Sequence, residues 1–209
     1  MNGDFLFFIF FLVIFITGMI FRGYYGRRSP DFKKSGRELL QQAFQHESRL
    51  GVALQYLLGI SIMMGMIIYL FFTPLYPSLQ LPLPDLVQWI GVVIGLVSLP
   101  FIGWIHWTLG KNFSKSLTIQ DNHQLVTTGP YKLVRHPMYT VFIFWFLSWF
   151  LVTANLSHLI TWVISVVYFV IRIPEEEQMM HEEFGDIYQE YVKRTNRLFP
   201  RLRKKQKDS

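Results

Sequence analysis

Five apolar segments constrain the fold of this chain more than any other feature of the sequence. They occupy residues 5–21, 51–72, 86–107, 137–152 and 158–171. A helix of seventeen residues rises roughly 26 Å, which approaches the bilayer hydrocarbon thickness of about 30 Å. The composition agrees, because 51% of the 209 residues are hydrophobic and 17% are aromatic, which is high for a soluble domain. The sequence therefore predicts an all-α integral membrane bundle of about five transmembrane helices.

The first of these segments has a competing interpretation, a cleavable signal peptide. A signal peptide carries positive charge before its apolar run and a cleavage site with small residues after it. In this chain the positive charge follows the run, at Arg22, Arg27 and Arg28, and no small-x-small site follows. We therefore expect residues 5–21 to be a retained membrane anchor.

The distribution of basic residues predicts an orientation in the membrane. All 20 Lys and Arg residues lie in segments 22–50, 108–136 and 172–209, and the connections on the other side carry none. Cytoplasmic loops are enriched in Lys and Arg, so the N-terminus is expected outside and the C-terminus in the cytoplasm. The net charge of +6 is then explained by membrane topology, without nucleic acid as a partner. We expect a multi-pass protein of a bacterial inner membrane.

Two polar segments on the predicted cytoplasmic side carry the residues best suited to chemistry. The first reads H-Q-L-V-T-T-G-P-Y-K-L-V-R-H-P-M-Y over residues 123–139, and the second reads R-I-P-E-E-E over residues 172–177. Pro137 is expected to begin the fourth apolar helix, and Pro174 to begin a separate cytoplasmic helix with the three acids in its first turn. Considered alone, each segment also fits ordinary interfacial residues, with Arg172 and Glu176 as a surface ion pair.

Taken together, the two segments resemble one family. The chain contains L-V-T-T-G-P-Y-x-x-x-R-H-P-x-Y, a short apolar hairpin, R-x-x-E-E-E and F-G-x-x-Y-x-x-Y, in that order. This arrangement closely resembles the isoprenylcysteine carboxyl methyltransferases, which are integral membrane enzymes related to membrane phospholipid N-methyltransferases. The resemblance covers about residues 108–200. One difference is Val141, which stands where the family usually has glycine, so helix packing or substrate entry is expected to differ.

The resemblance implies a site for S-adenosylmethionine and a role for one arginine. Arg172 matches the position that holds the substrate in the family, and together with Glu176 it is the candidate catalytic pair. The tail pattern around Phe184, Tyr188 and Tyr191 is assigned to packing. The cofactor contacts implied by the resemblance are His123, Gln124, Leu125, Val126, Tyr131, His136, Pro137, Met138, Tyr139 and Glu176.

The residue types fit methyl transfer on chemical grounds as well. Displacement at a sulfonium methyl group requires positioning of the reactants more than acid–base chemistry, and a carboxylate acceptor is already ionised. An arginine can orient such a carboxylate through two hydrogen bonds, and tyrosine rings can face the cationic sulfonium. No G-x-G-x-x-G follows a predicted strand, so a soluble dinucleotide-binding fold is not expected.

The sequence therefore predicts a membrane methyltransferase that uses S-adenosylmethionine and accepts a lipid-like substrate from the bilayer. Two alternatives remain: an NADPH-dependent membrane reductase of the sterol or steroid type, and a non-catalytic lipid-binding membrane protein. The methyl acceptor could be a carboxyl, an amine or a thiol, and the oligomeric state stays open. No metal site is predicted, since the six His residues are scattered. The expected divisions are N-terminal helices at 1–107, a methyltransferase-like core at 108–200, and a basic tail at 201–209 that suits anionic membrane lipids.

Overall fold

A computed structural model describes residues 3–28, 32, 34–110 and 125–201. In these ranges the chain forms helices and isolated bridges but no extended strand, which confirms the predicted all-α class. The α-helices are α1 (Gly3–Arg28), α2 (Gly36–His46), α3 (Arg49–Ile67), α4 (Asp85–Leu109), α5 (Pro137–Thr153) and α6 (Leu156–Arg194). A π-helical turn, Ile68–Phe72, continues α3, and short 3-10 helices lie at Pro77–Leu79 and Gly129–Lys132.

The predicted apolar segments lie in α1, α3, α4, α5 and α6. Four of these helices are long and apolar enough to cross a membrane, namely α1, α3 with its π-helical extension, α4 and α6. The remaining one, α5, is apolar but has only 17 residues. The structure is therefore a multi-pass helical bundle with the number of apolar helices that the sequence predicts.

The short helix α5 packs among α1, α4 and α6. Its side chains Trp145, Phe146 and Trp149 lie in the hydrophobic core, which also contains Phe11 from α1. Helix α4 approaches α5 closely at Gly91, where an added Cβ atom would lie 2.6 Å from the Cβ atom of Leu151. Packing on several sides fixes α5, and its N-terminal end carries the first motif segment.

The structure contradicts the expected break at Pro174. Pro174 lies inside α6, which continues through Arg172 and the three acids to Arg194. The proline removes one helical hydrogen bond, but proline is tolerated in membrane helices because the surrounding packing compensates. Both Arg172 and Ile173 are buried, so packing supports the helix at this point. The non-helical residue of α6 is instead Gly185, with φ of 49°.

Polar contacts fix both ends of the bundle. At the hairpin between α5 and α6, the buried Asn155 side chain accepts a hydrogen bond from the Ser157 N–H (3.0 Å) and donates one to the Thr73 hydroxyl (2.8 Å). At the opposite end, the Ser48 hydroxyl caps α3 by accepting from the Gly51 N–H at 3.0 Å. This cap fixes the junction between α2 and α3, where the buried Glu47 lies.

Candidate active site

The first motif segment forms a tight turn that leads into α5. Gly129 has φ of +57°, and an added Cβ atom would lie 2.9 Å from the Thr108 hydroxyl oxygen, so glycine suits this position on both counts. The following 3-10 helix buries Tyr131, and Pro137 occupies the first turn of α5. The turn thereby places Tyr131 and His136 at the same end of the bundle.

The C-terminal part of α6 and the residues after it hold this segment in place. The backbone N–H groups of Arg135 and His136 donate to the carbonyl oxygens of Asn196 and Arg197, at 2.8 and 2.9 Å. The buried Tyr191 hydroxyl donates to the Tyr131 carbonyl oxygen at 2.6 Å. These contacts are consistent with the packing role predicted for the tail pattern.

Glu177 connects three cationic groups at this junction. Its carboxylate accepts from Arg135 Nε at 2.8 Å and from Arg197 Nη2 at 2.7 Å, and it lies 3.3 Å from His136 Nε2. Arg135 also donates to the carbonyl oxygen of Thr195. The second motif segment therefore binds directly to the end of α5 that carries the first.

His136 lies between two carboxylates. Its Nδ1 atom is 3.6 Å from Glu176 Oε2, and its Nε2 atom is 3.3 Å from Glu177 Oε1. Burial lowers the pKa of His136, but hydrogen bonds and charge interactions with the two carboxylates outweigh it, so the net pKa is raised above its ordinary value. The imidazole ring stacks almost parallel to the Tyr139 ring, with an interplanar angle of 4° and centroids 5.5 Å apart.

A hydrogen-bonded chain joins the two candidate catalytic residues. Arg172 Nε donates to the Tyr139 hydroxyl at 3.0 Å, and that hydroxyl donates to Glu176 Oε2 at 2.5 Å. Two hydrogen bonds through Tyr139 therefore link Arg172 to Glu176, whereas the sequence suggested a direct ion pair on the surface. The tyrosine lies on α5 and the two charged residues lie on α6, so the chain links the two motif segments.

Arg172 also binds the carboxylate of Glu47, a residue that the sequence analysis did not single out. Arg172 Nη1 lies 2.7 Å from Glu47 Oε2 and also donates to the Tyr168 hydroxyl at 2.7 Å. The Glu47 side chain is 0% exposed and that of Arg172 is 5% exposed. In the sequence, Glu47 stands out only as an acidic residue at the membrane end of a basic segment. That position does not indicate a partner 125 residues away.

A cavity of about 770 Å³ brings the predicted site residues together. The predicted residues that line it are Leu125, Val126, Tyr131, His136, Met138, Tyr139, Arg172 and Glu176. Pro137 is buried in the first turn of α5 and is not among the lining residues. His123 and Gln124 lie outside the described residues.

The cavity has a polar end and an apolar arm. The polar end is formed by the ionisable and tyrosine side chains of the two motif segments. The apolar arm extends between the apolar helices, and its lining residues include Leu58, Ile62, Phe142, Trp145, Phe146 and Trp149. Val141 packs partly buried against the hydrophobic core instead of lining this arm. Such a cavity can hold a polar ligand beside a hydrocarbon chain.

Comparisons with known proteins agree with these features. Residues 89–182 match the model of the isoprenylcysteine carboxyl methyltransferase (ICMT) family, which confirms the resemblance predicted from the motifs. A probable protein-S-isoprenylcysteine O-methyltransferase from Oryza sativa subsp. indica is 30% identical over 117 residues, covering 54% of this chain and 61% of the relative. Protein-S-isoprenylcysteine O-methyltransferase B from Arabidopsis thaliana is 34% identical over 90 residues, covering 42% of this chain and 46% of the relative.

Two further proteins of known activity or structure are similar to this chain. Methanethiol S-methyltransferase from Pseudomonas deceptionensis is 38% identical over 74 residues, covering 35% of this chain and 28% of the relative. The solved structure of the eukaryotic intramembrane Ras methyltransferase ICMT matches with a TM-score of 0.56 and 24% identity, covering 70% of this chain and 52% of that chain. This match supports the membrane helical fold. The chain spans less than two thirds of each of these proteins.

Proposed function

We propose that this chain, whose residues 89–182 match the isoprenylcysteine carboxyl methyltransferase family, transfers a methyl group from S-adenosylmethionine to a lipid-like acceptor. The observation that carries the proposal is one cavity that combines both motif segments at its polar end with an apolar arm between the helices. The cofactor would occupy the polar end, and the acceptor's hydrocarbon chain would occupy the arm.

The side chains at the polar end fit this cofactor. Glu176 can accept hydrogen bonds from a ribose hydroxyl or an amino group, and the rings of Tyr131 and Tyr139 can face a cationic sulfonium. Burial raises the pKa of the Tyr131 hydroxyl well above its usual value, with the charge of Glu176 adding to the effect, so this ring stays neutral. When bound, S-adenosylmethionine would supply the electrophilic methyl group.

For the acceptor, we propose a carboxylate oriented by Arg172. A carboxylate is already ionised near neutral pH, so the protein needs to orient it and exclude water, without removing a proton. Arg172 lines the cavity, and its contacts with Tyr139, Tyr168 and Glu47 hold the guanidinium in one orientation. The relatives named above act on isoprenylcysteine carboxyl groups or on methanethiol, so a thiol is the other acceptor to test.

We also propose the orientation that the basic residues favour, with the polar end of the cavity facing the cytoplasm. The described residues of α2, the start of α3, the end of α4 and the start of α5 lie at this end, and the segments around them are the basic ones. A cofactor from the cytoplasm would then enter at the polar end, while the acceptor would enter from the bilayer.

The experiment that tests the proposal measures transfer of a labelled methyl group to a prenylated carboxylate by the purified full chain. Glu176→Ala should bind S-adenosylmethionine at least about 10-fold more weakly, because a charge-assisted acceptor is lost. Arg172→Ala should bind the cofactor normally and lose turnover. The exposed residues Glu182 and Arg194, on the same helix, provide matched alanine controls. Unchanged turnover in both site variants would contradict the assignment.

A further inference from the structure

Within the described part of the chain, three arginines line the cavity, and they differ in their partners. Arg135 is paired with Glu177 at 2.8 Å, and Arg172 is paired with Glu47 at 2.7 Å. The third is Arg22 of α1, and among the described residues no carboxylate or hydrogen-bond acceptor contacts its guanidinium group. The positive charge of Arg22 is therefore the one that the described cavity wall leaves unbalanced.

Arg22 lies at the boundary between the two parts of the cavity. Its guanidinium carbon is 5.8 Å from the centroid of the Phe142 ring, a cation–π distance. Phe142 follows Tyr139 on α5 by about one helical turn, towards the apolar arm. Met19, one turn earlier on α1, lines the cavity too. The charge is thus placed between the hydrogen-bonded polar end and the hydrocarbon-lined arm.

An arginine near the end of a transmembrane helix ordinarily extends its side chain to the lipid headgroups. Arg22 and Arg27 are both exposed, but the Arg22 guanidinium lies over the ring of Phe142, which belongs to the core cluster, and Arg22 lines the cavity. Arg27, about one turn and a half further along α1, is not among the lining residues. Ordinary snorkelling therefore describes Arg27, whereas Arg22 differs from it by its contact with a core ring and its place in the cavity wall.

We propose that Arg22 is a specificity-determining residue that selects an amphiphile with an anionic head group, a carboxylate or a phosphate. The proposal rests on the proposed function in one respect, namely that the acceptor occupies this cavity. A cation beside apolar groups gains more from an anionic partner than one in water does, because the local dielectric constant is lower. Since Glu47 already balances the charge of Arg172, Arg172 orients the acceptor and Arg22 supplies the net attraction.

The test compares binding of matched single-chain probes to the full chain in nanodiscs of neutral lipid. Tritiated dodecanoate and dodecanol have the same chain length and differ in head-group charge, and empty nanodiscs correct for partitioning. Arg22→Gln should weaken dodecanoate binding about 10–100-fold, the range expected for loss of a charge-assisted hydrogen bond. The dissociation constant for dodecanol should change less than about two-fold. Arg27→Gln is the matched control, and both of its dissociation constants should equal those of the wild type.

Two results would overturn the proposal. Equal weakening of both probes would mean that Arg22 acts through packing, and unchanged dodecanoate binding would mean that it does not contact the anion. Dodecyl phosphate is the third probe. If Arg22→Gln weakens dodecanoate binding more than dodecyl phosphate binding, the preferred head group is a carboxylate; the reverse result identifies a lipid phosphate. Binding of S-adenosylmethionine to the wild type is measured separately, so a failure of the proposed methyltransferase function is distinguishable from a failure of this inference.

Discussion

Replacement of Glu47 by alanine is expected to be among the most destabilising single changes at the site. The substitution leaves the Arg172 guanidinium, whose side chain is 5% exposed, without the carboxylate that lies 2.7 Å away. Removing one partner of a buried ion pair costs about 3–5 kcal/mol, because the other charge stays buried without compensation. For a chain of this size, each kcal/mol lowers the melting temperature by about 2–4 °C, so the expected decrease is about 6–20 °C.

The assay is thermal unfolding of the full chain in a neutral detergent. Glu190→Ala is the matched control, because Glu190 also pairs with basic side chains but lies on the exposed face of α6, and no measurable change is expected. The double variant Glu47→Ala/Arg172→Met removes both charges and should be more stable than Glu47→Ala alone. A melting temperature of Glu47→Ala equal to that of the control would refute the argument that this pair supports the site.

Two other predictions concern the junction between α5 and α6. The pKa of His136 is raised in the folded state, so protonated His136 stabilises the fold. This contribution to the free energy of unfolding should be complete below about pH 6.5 and decline as the pH rises through the folded-state pKa. The melting temperature of His136→Gln should therefore lie below that of the wild type at pH 6, and the difference should decrease as the pH is raised. A difference that stays constant with pH would contradict the prediction. Tyr191→Phe removes the 2.6 Å hydrogen bond to the Tyr131 carbonyl oxygen and should cost about 1 kcal/mol in thermal unfolding, whereas the same change at the exposed Tyr76 should cost nothing measurable.

The architecture was predictable because membrane helices follow from length and hydropathy alone. The meeting of the two motif segments was predictable for a related reason: the number of spans between residues 139 and 172 returns the chain to the same side of the membrane. The position of Pro174 inside α6 was not, because proline at a helix start and proline in a packed membrane helix have the same local sequence signal.

The partners of the site residues depend on tertiary packing and were harder to predict. Arg172 contacts Glu47 across 125 residues of sequence, and helical spacing suggested Glu176 in its place. Similarly, Arg22 is one of several basic residues that follow the first apolar segment. Counting these charges predicts the topology, but it does not show which of the side chains lines the cavity.

The most direct test of the central claim is calorimetric binding of S-adenosylmethionine, S-adenosylhomocysteine and NADPH to the purified chain, with Glu176→Ala as the comparison. The proposed function predicts that the methyl donor and its demethylated product bind, that Glu176→Ala weakens both at least about 10-fold, and that NADPH does not bind. Binding of NADPH alone would contradict the methyltransferase assignment in favour of a reductase, and absence of binding by all three would contradict a catalytic role at this cavity.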